Sequence, residues 1–594
     1  MKKIVSLLLV LTLVFSLTAC SGGSGGGSSD QDANGDSSDD EPSNGDSSEI
    51  SYITLEGNSI TIDGDGAVVD DANITITSAG TYSISGTLDD GQIMVNAGNN
   101  EKVSLILDGV DTACSTSAPI YVMNADKTVI TLEDGTQNYV TDGNSYVFED
   151  SESDEPNAAI FSKDDLTING NGSLTVDANY NNGIQSKDDL KITGGNIAVY
   201  AVNDGLKGRD SIVVKKASIT VNAGGDGLQS NNDEDSKKGY VSIESGTLNI
   251  TAGQDGIQAE TSLTISGGDT RIASGGGANS SSSSDSAKGL KAGVDITISG
   301  GTMNINSSDD SIHSNDSLRI DGGAIVLASG DDGIHSDSVL EIDGGDIGIT
   351  KSYEGIESSI VTINDGDIHV VSSDDGINVA GGNDASSING RPGQNNFDYS
   401  ADHHLYINGG YIVINAAGDG IDVNGPINMT GGDVIINGPT SNFNGALDYY
   451  GDFKVSGGFL LAVGSSGMAQ APSTSSTQYS VMMTFPSVQS AGTLVRFERE
   501  EGEDVLTFSP TKAYQSVVLC SPELKNGSTY IVYSGGRSTG TATDGLYSGG
   551  TYFGGTQVTT FTISSVVTFA GSEPGGGFPG GPGGGMPPPG GLGG

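Results

Sequence analysis

The sequence predicts an all-β protein, a right-handed parallel β-helix with three strands to each 22-residue coil. Three observations predict it. A five-residue motif recurs at near-constant spacing, two apolar pairs trail it at constant offsets, and no window beyond the first twenty residues carries a helical period.

The motif reads Asp332-Gly333-Ile334-His335-Ser336. It returns as Asp226-Gly227-Leu228-Gln229-Ser230, Asp310-Ser311-Ile312-His313-Ser314 and Glu354-Gly355-Ile356-Glu357-Ser358. Its apolar residue falls at Ile184, Leu206, Leu228, Ile257, Leu290, Ile312, Ile334, Ile356, Ile377 and Ile421. The steps are 22, 22, 29, 33, 22, 22, 22, 21 and 44. The trailing pairs, such as Leu318/Ile320 and Ile325/Leu327, alternate apolar with polar, the signature of a strand with one buried face. One coil cannot bury its own face, so about twelve stacked coils share a core between Ala158 and Val463.

Equivalent residues of successive coils lie about 4.8 Å apart in such a stack. Alternation turns the Ile and Ser of the motif inward and the residue between them outward. The expected outward column is Gln185, Lys207, Gln229, Gln258, Lys291, His313, His335, Glu357, Asn378 and Asp422. The long steps locate insertions at 231–238, 275–286 and 381–402, all flanking this one strand. Insertions gathered on one face of a repeat protein point to a binding face, although loops also tolerate insertion there.

In chain order, residues 1–19 read as a secretory signal. Lys2 and Lys3 form a basic start, Ile4 to Leu17 an apolar core, and Leu17-Thr18-Ala19-Cys20 a lipobox resembling bacterial lipoprotein signals. That resemblance implies lipidation of Cys20 and a membrane anchor on the extracellular face. Residues 20–50 are Ser, Gly, Asp and Asn, too polar to offset chain entropy, and read as a disordered tether. Residues 51–157 keep strand alternation but lose the 22-residue register, so irregular first coils and an N-terminal cap are expected. Residues 158–464 are the regular helix. Residues 465–570 carry hairpin-like spacing and read as a small antiparallel β unit at the other end. Residues 571–594 are a Gly/Pro-rich tail expected to be disordered. Cys114 and Cys520 fall toward opposite ends of the stack, roughly 50 Å apart at the strand spacing, too far to bridge.

The formal charge is −51, and loss of Lys2 and Lys3 makes it −53. Such a field excludes nucleic acid as a partner. The acids gather at the motif, as Asp204, Asp226, Asp255, Asp310, Asp332, Glu354, Asp375 and Asp419, preceded at three places by Asp309, Asp331 and Asp374. Asp before Gly is good turn chemistry in its own right. Stacked like charges, however, repel by roughly 1 kcal/mol per pair even in water. Calcium takes six to eight oxygens and suits such a ladder, whereas a hard-oxygen set disfavours zinc and copper. The candidate metal ligands are Asp309, Asp310, Asp331, Asp332, Glu354, Glu357, Asp374, Asp375, Asp419 and Asp422.

Lys207 and Lys291 interrupt the acidic column, as do Arg209 and Lys288 nearby. They pair with neighbouring Asp, hold a sugar carboxylate, or act as the base of a lyase. His313 and His335, one coil apart, suit stacked surface imidazoles in contact with sugar better than a transition-metal pair. Lys207, Lys291, His313 and His335 are thus the candidate carbohydrate-binding residues. No catalytic residue is assigned, with Lys207 and Lys291 the alternatives.

The run Ala159-Ile160-Phe161-Ser162-Lys163-Asp164-Asp165-Leu166-Thr167-Ile168, with Ser308-Asp309-Asp310-Ser311-Ile312-His313-Ser314 and Gly438-Pro439-Thr440, resembles a bacterial family of carbohydrate-binding domain-containing proteins. The resemblance covers about residues 60–535. It implies extracellular, calcium-containing β-helices that bind polygalacturonate and cellulose, similar in fold to calcium-dependent pectate lyases. In those lyases an Asp-Asp-Gly-x-Asp run holds the catalytic calcium; Gly418-Asp419-Gly420-Ile421-Asp422 matches it without the first Asp. The expected function is a surface lipoprotein that binds acidic plant cell-wall polysaccharide through calcium. A calcium-dependent polysaccharide lyase and a non-enzymatic stalk or adhesin are the alternatives. Absence of Trp disfavours the flat aromatic platforms used on crystalline cellulose.

Overall fold

The computed structural model describes residues 50–148, 150, 153–280, 286–379 and 399–572. Cys20, the expected signal segment and residues 573–594 of the Gly/Pro-rich tail lie outside these residues. Every regular element described is a strand, and the strands form one 47-stranded and one six-stranded sheet.

Pairing in the large sheet is mostly parallel and follows one rule. The strand Leu206–Gly208 pairs with Asn182–Ser186 before it and Leu228–Ser230 after it. Ser211–Val214 pairs with Asp189–Ile192 and Tyr240–Ile243, and Ala217–Ala223 with Asn196–Ala201 and Gly246–Ala252. Each strand therefore bonds to the strands three places away, which fits a β-helix or solenoid with three ladders. The register aligns the motif copies, Ile312 with Ile334, His313 with His335 and Ser314 with Ser336. The insertions loop out without shifting it: Leu228 still meets Ile257, Ile257 meets Leu290, and Ile377 meets Ile421.

Parallel pairing also reaches back beyond Ala158, where the 22-residue period fails. Ser51–Gly57 pairs with Gly80–Leu88, which pairs with Lys102–Cys114. Asn73–Ile76 leads through Gln92–Asn96 and Ile120–Asn124 to Ala158–Ser162. Strand lengths vary here, up to 13 residues in Lys102–Cys114. Pairing needs only matched strands, so it persists where constant coil length does not.

The core is a continuous file of Ile, Leu and Val from Ile53 onward, with nearly every member closed to water. Each such side chain contributes about 1.5–3 kcal/mol of burial, which explains how a chain with 6 % aromatics holds together. The motif glycine has a packing reason. A Cβ on Gly333 would stand 2.6 Å from the Gly355 carbonyl of the next coil, and one on Gly376 would stand 2.5 Å from that of Gly420.

Toward the C-terminus the pairing turns antiparallel. Tyr514–Cys520 lies between Phe459–Gly464 and Ser480–Gln489. The six-stranded sheet packs a second core of Phe485, Phe497, Phe508, Tyr514 and Tyr530. Its hairpin tip reaches the stack, where the Tyr411 hydroxyl donates to Asp544 at 2.8 Å. Cys114 and Cys520 are both buried and unbonded.

Candidate functional site

The motif carboxylates are built into the backbone. One oxygen of each motif Asp accepts the N–H of the equivalent residue one coil on. Asp204 accepts from Asp226 at 3.1 Å, Asp226 from Asp255 at 2.9 Å, and Asp255 from Lys288 at 2.7 Å. Asp310 accepts from Asp332 at 3.0 Å, Asp332 from Glu354 at 3.1 Å, and Asp375 from Asp419 at 2.6 Å. Asp419 accepts from Gly445 in the same way. The turn before each strand leaves this N–H without a strand partner, and a short acid on the neighbouring coil satisfies it.

The second oxygen faces the column expected to point outward, and there the expectation fails. The column is largely enclosed. His335 is 0 % exposed, His313 2 % and Glu357 4 %. Side chains stacked at the strand spacing cover one another's faces, and polar neighbours close their edges. The two imidazoles stack with centroids 4.7 Å apart. His313 uses both nitrogens, on Asp310 at 2.8 Å and Asn315 at 3.0 Å. His335 does the same, on Glu357 at 2.9 Å and Asp337 at 3.0 Å. Neither is the surface imidazole expected from the alternation.

The acids are enclosed too, and several upstream have a cationic partner. Lys207 reaches Asp204 at 2.9 Å and Lys291 reaches Asp255 at 3.1 Å. Lys288, 2 % exposed, lies 2.6 Å from Asp310 and 3.3 Å from Asp309. Burial alone would raise the Asp310 carboxyl; the charge of Lys288, then His313, holds it well below the usual range. Burial would likewise lower His335, but its hydrogen bonds to the carboxylates of Asp332, Asp337 and Glu357 hold it well above its ordinary value. Glu354 is raised by burial and by Glu357, and it accepts from Asn378.

The column changes character at its C-terminal end. Asp375, Asp419 and Asp422 bring carboxylate oxygens within 4.8 Å of one another. Among the described residues no basic side chain forms an ion pair with them. Asp374 beside them accepts from the Tyr353 hydroxyl. Burial, then repulsion from neighbouring carboxylates that include Asp374 and Asp448, pushes Asp375 up to about 9, Asp419 to about 8 and Asp422 to about 7. Asp448 stands next in the column, paired with Asp422, and accepts from Gln470 at 2.8 Å.

The ten candidate ligands thus sort into three groups. Asp309, Asp310 and Asp331 gather at Lys288. Asp332, Glu354 and Glu357 gather at His335 and Asn378. Asp374, Asp375, Asp419 and Asp422 form an oxygen-only group with no counter-charge among the described residues. That last donor set fits a hard divalent cation; the first two already hold a positive side chain.

Two residues escaped sequence reasoning. Asp448 follows Asp422 by 26 positions rather than 22 and lacks the Asp-Gly signature, so the period hides it. Lys512 comes from the antiparallel region, donates to the Ala416 carbonyl, and is lowered by burial to about 8. No spacing in the sequence brings it to the stack.

The profile of a carbohydrate-binding domain-containing protein family matches residues 70–333 and 326–481 of this chain. A carbohydrate-binding domain-containing protein from Acetivibrio thermocellus is 42% identical over 201 residues. That match covers 34% of this chain and 65% of the relative's length. A solved structure titled as a polysaccharide lyase-like protein from C. thermocellum, a gadolinium derivative, is 44% identical, covering 38% of this chain and 92% of that one, with a TM-score of 0.38. With most of its length matched, the chain belongs to the carbohydrate-binding domain-containing protein family.

Proposed function

We propose that the chain binds acidic polysaccharide, of the polygalacturonate type, at the C-terminal end of its carboxylate column, with calcium held by Asp375, Asp419 and Asp422. The observation that carries this reading is the contrast along one column. Upstream, Asp204, Asp255, Asp310 and Glu357 face Lys207, Lys291, Lys288 and His335, whereas among the described residues no basic side chain forms an ion pair with these three. Calcium, when bound, would neutralise the group and offer coordination positions to a uronate carboxylate. The chain itself supplies rigid placement: Asp375 and Asp419 are each tied to the next coil by a backbone N–H.

The reading extends to the whole chain. The strands wind right-handed in about twelve coils, closed by the first coils and by the antiparallel region. Lipidated Cys20 holds the protein at the extracellular face of the membrane. The lyase alternative is disfavoured by the lysines named for it. Lys207 and Lys291 are ion-paired, and a paired ammonium has no lone pair with which to abstract a proton.

Retention on immobilised polygalacturonate, with calcium and then with a chelator, tests the proposal. Binding should vanish on chelation and in Asp419→Asn; undiminished binding in both would exclude the calcium bridge. Appearance of unsaturated uronate absorbance would replace the binding reading with the lyase one.

A further inference from the structure

Phe443 is 87 % exposed, more than any other large apolar side chain described. It sits in the loop 438–446 between the strands Asp433–Asn437 and Leu447–Tyr449. Lone apolar residues at a surface are ordinary. This one differs because its loop is fastened on every side. The Phe443 N–H donates to the Ser441 hydroxyl at 3.3 Å, and the Ser465 hydroxyl donates to the Asn444 carbonyl at 2.9 Å. Gly467 packs so closely that a Cβ there would lie 2.6 Å from that of Asn442. The Gly445 N–H is bonded to Asp419. The ring is therefore presented to solvent by a braced loop.

Its neighbourhood identifies what it would meet. One residue separates Phe443 from Gly445, a backbone span of at most about 7 Å, and Gly445 is bonded to Asp419 of the carboxylate cluster. At the far end of the strand that carries Asp448, two further aromatic rings are open to solvent, Tyr399 at 55% and Tyr450 at 42%. They belong together, since a Cβ on Gly451 would stand 3.2 Å from the Tyr399 ring. The strand that carries Asp448 thus has exposed aromatic residues beyond each of its ends. A pyranose ring carries the matching chemistry, an apolar C–H face and a rim of hydroxyl donors.

We propose that Phe443 is the stacking platform for a sugar ring adjoining the carboxylate cluster, with Tyr399 and Tyr450 bracketing the far side; this rests on polysaccharide being the ligand. Without Trp in the chain, Phe and Tyr supply the aromatic faces. A braced ring loses little freedom on binding, which favours affinity.

The same lack of Trp makes the test direct. Phe443→Trp introduces a single indole into a chain with none. Its emission is followed during titration with polygalacturonate oligosaccharides and with cello-oligosaccharides, calcium present, beside column retention of the unmodified chain and of Phe443→Ala. The expected result is a saturable emission change with one of the two sugars. Phe443→Ala should weaken retention about 3- to 10-fold while its melting temperature stays unchanged. Emission that ignores a sugar the column still retains, with Phe443→Ala binding as tightly as the unmodified chain, overturns the platform and leaves the polysaccharide reading standing. Failure of the unmodified chain to be retained by any glycan removes that reading and the platform together. An emission change that follows protein concentration alone, with dimers in sedimentation, assigns the ring to a second copy and overturns the proposal.

Discussion

The ammonium of Lys288 lies 2.6 Å from a carboxylate oxygen of Asp310, and both side chains are closed to solvent. A buried charge left without its partner costs several kcal/mol, whereas removing both together costs much less. Lys288→Met should lower stability by about 3–5 kcal/mol, and adding Asp310→Asn should recover part of the loss. Thermal melts of the single and double variants check this; equal losses in both would mean that the pair is not coupled.

Asp226 tests the upstream column by pH. Burial, then repulsion from Asp255 and Asp204, raises its carboxyl to about 7. A folded value above the ordinary 3.8 means the folded state binds a proton more tightly than the unfolded chain. The stability linked to that proton is complete below about pH 4 and is lost as pH rises through about 7. Asp226→Asn keeps the acceptor for the Asp255 N–H and removes the charge. At pH 8 it should therefore gain roughly 1–3 kcal/mol, with little change at pH 4.

At Asp375, Asp419 and Asp422 the same reasoning gives a larger window, since their values are about 9, 8 and 7. Metal-free protein should melt lower at pH 9 than at pH 5. Calcium at a hundred times its dissociation constant should add about 2.7 kcal/mol at pH 8 and far less at pH 5, where protons compete for the same oxygens. Asp422→Asn should remove most of the calcium effect, read by melting with and without chelator.

The contact between Tyr411 and Asp544 fastens the six-stranded sheet to the stack. Tyr411→Phe removes one charge-assisted hydrogen bond, worth about 1.5–3 kcal/mol, and keeps the ring. Faster hydrogen exchange confined to residues 541–548 is expected, with the parallel ladders unchanged.

Gly333→Ala drives a methyl group against the Gly355 carbonyl and Ile349. Backbone cannot move aside within a stack, so the melt should fall by an amount equivalent to about 1–3 kcal/mol. An unchanged melt would show that the motif glycine serves only as turn chemistry.

Ile312, Ile334 and Ile356 show how much was written in the chain. Their spacing of 22 gives the register in which they pair, because a repeat of constant length can close only on its own equivalents. The family was legible in the same repeated motifs. The fate of each acid was not. Asp310 and Asp419 occupy the same position of the motif, yet one is neutralised by Lys288 and the other stands among carboxylates. Lys288 takes the motif position that is acidic in the neighbouring coils, one coil before Asp310, and Asp448 enters the column four residues out of period. Periodicity specifies which residues stack; charge and burial depend on what the loops and the neighbouring coil bring beside them, and only the folded chain decides that.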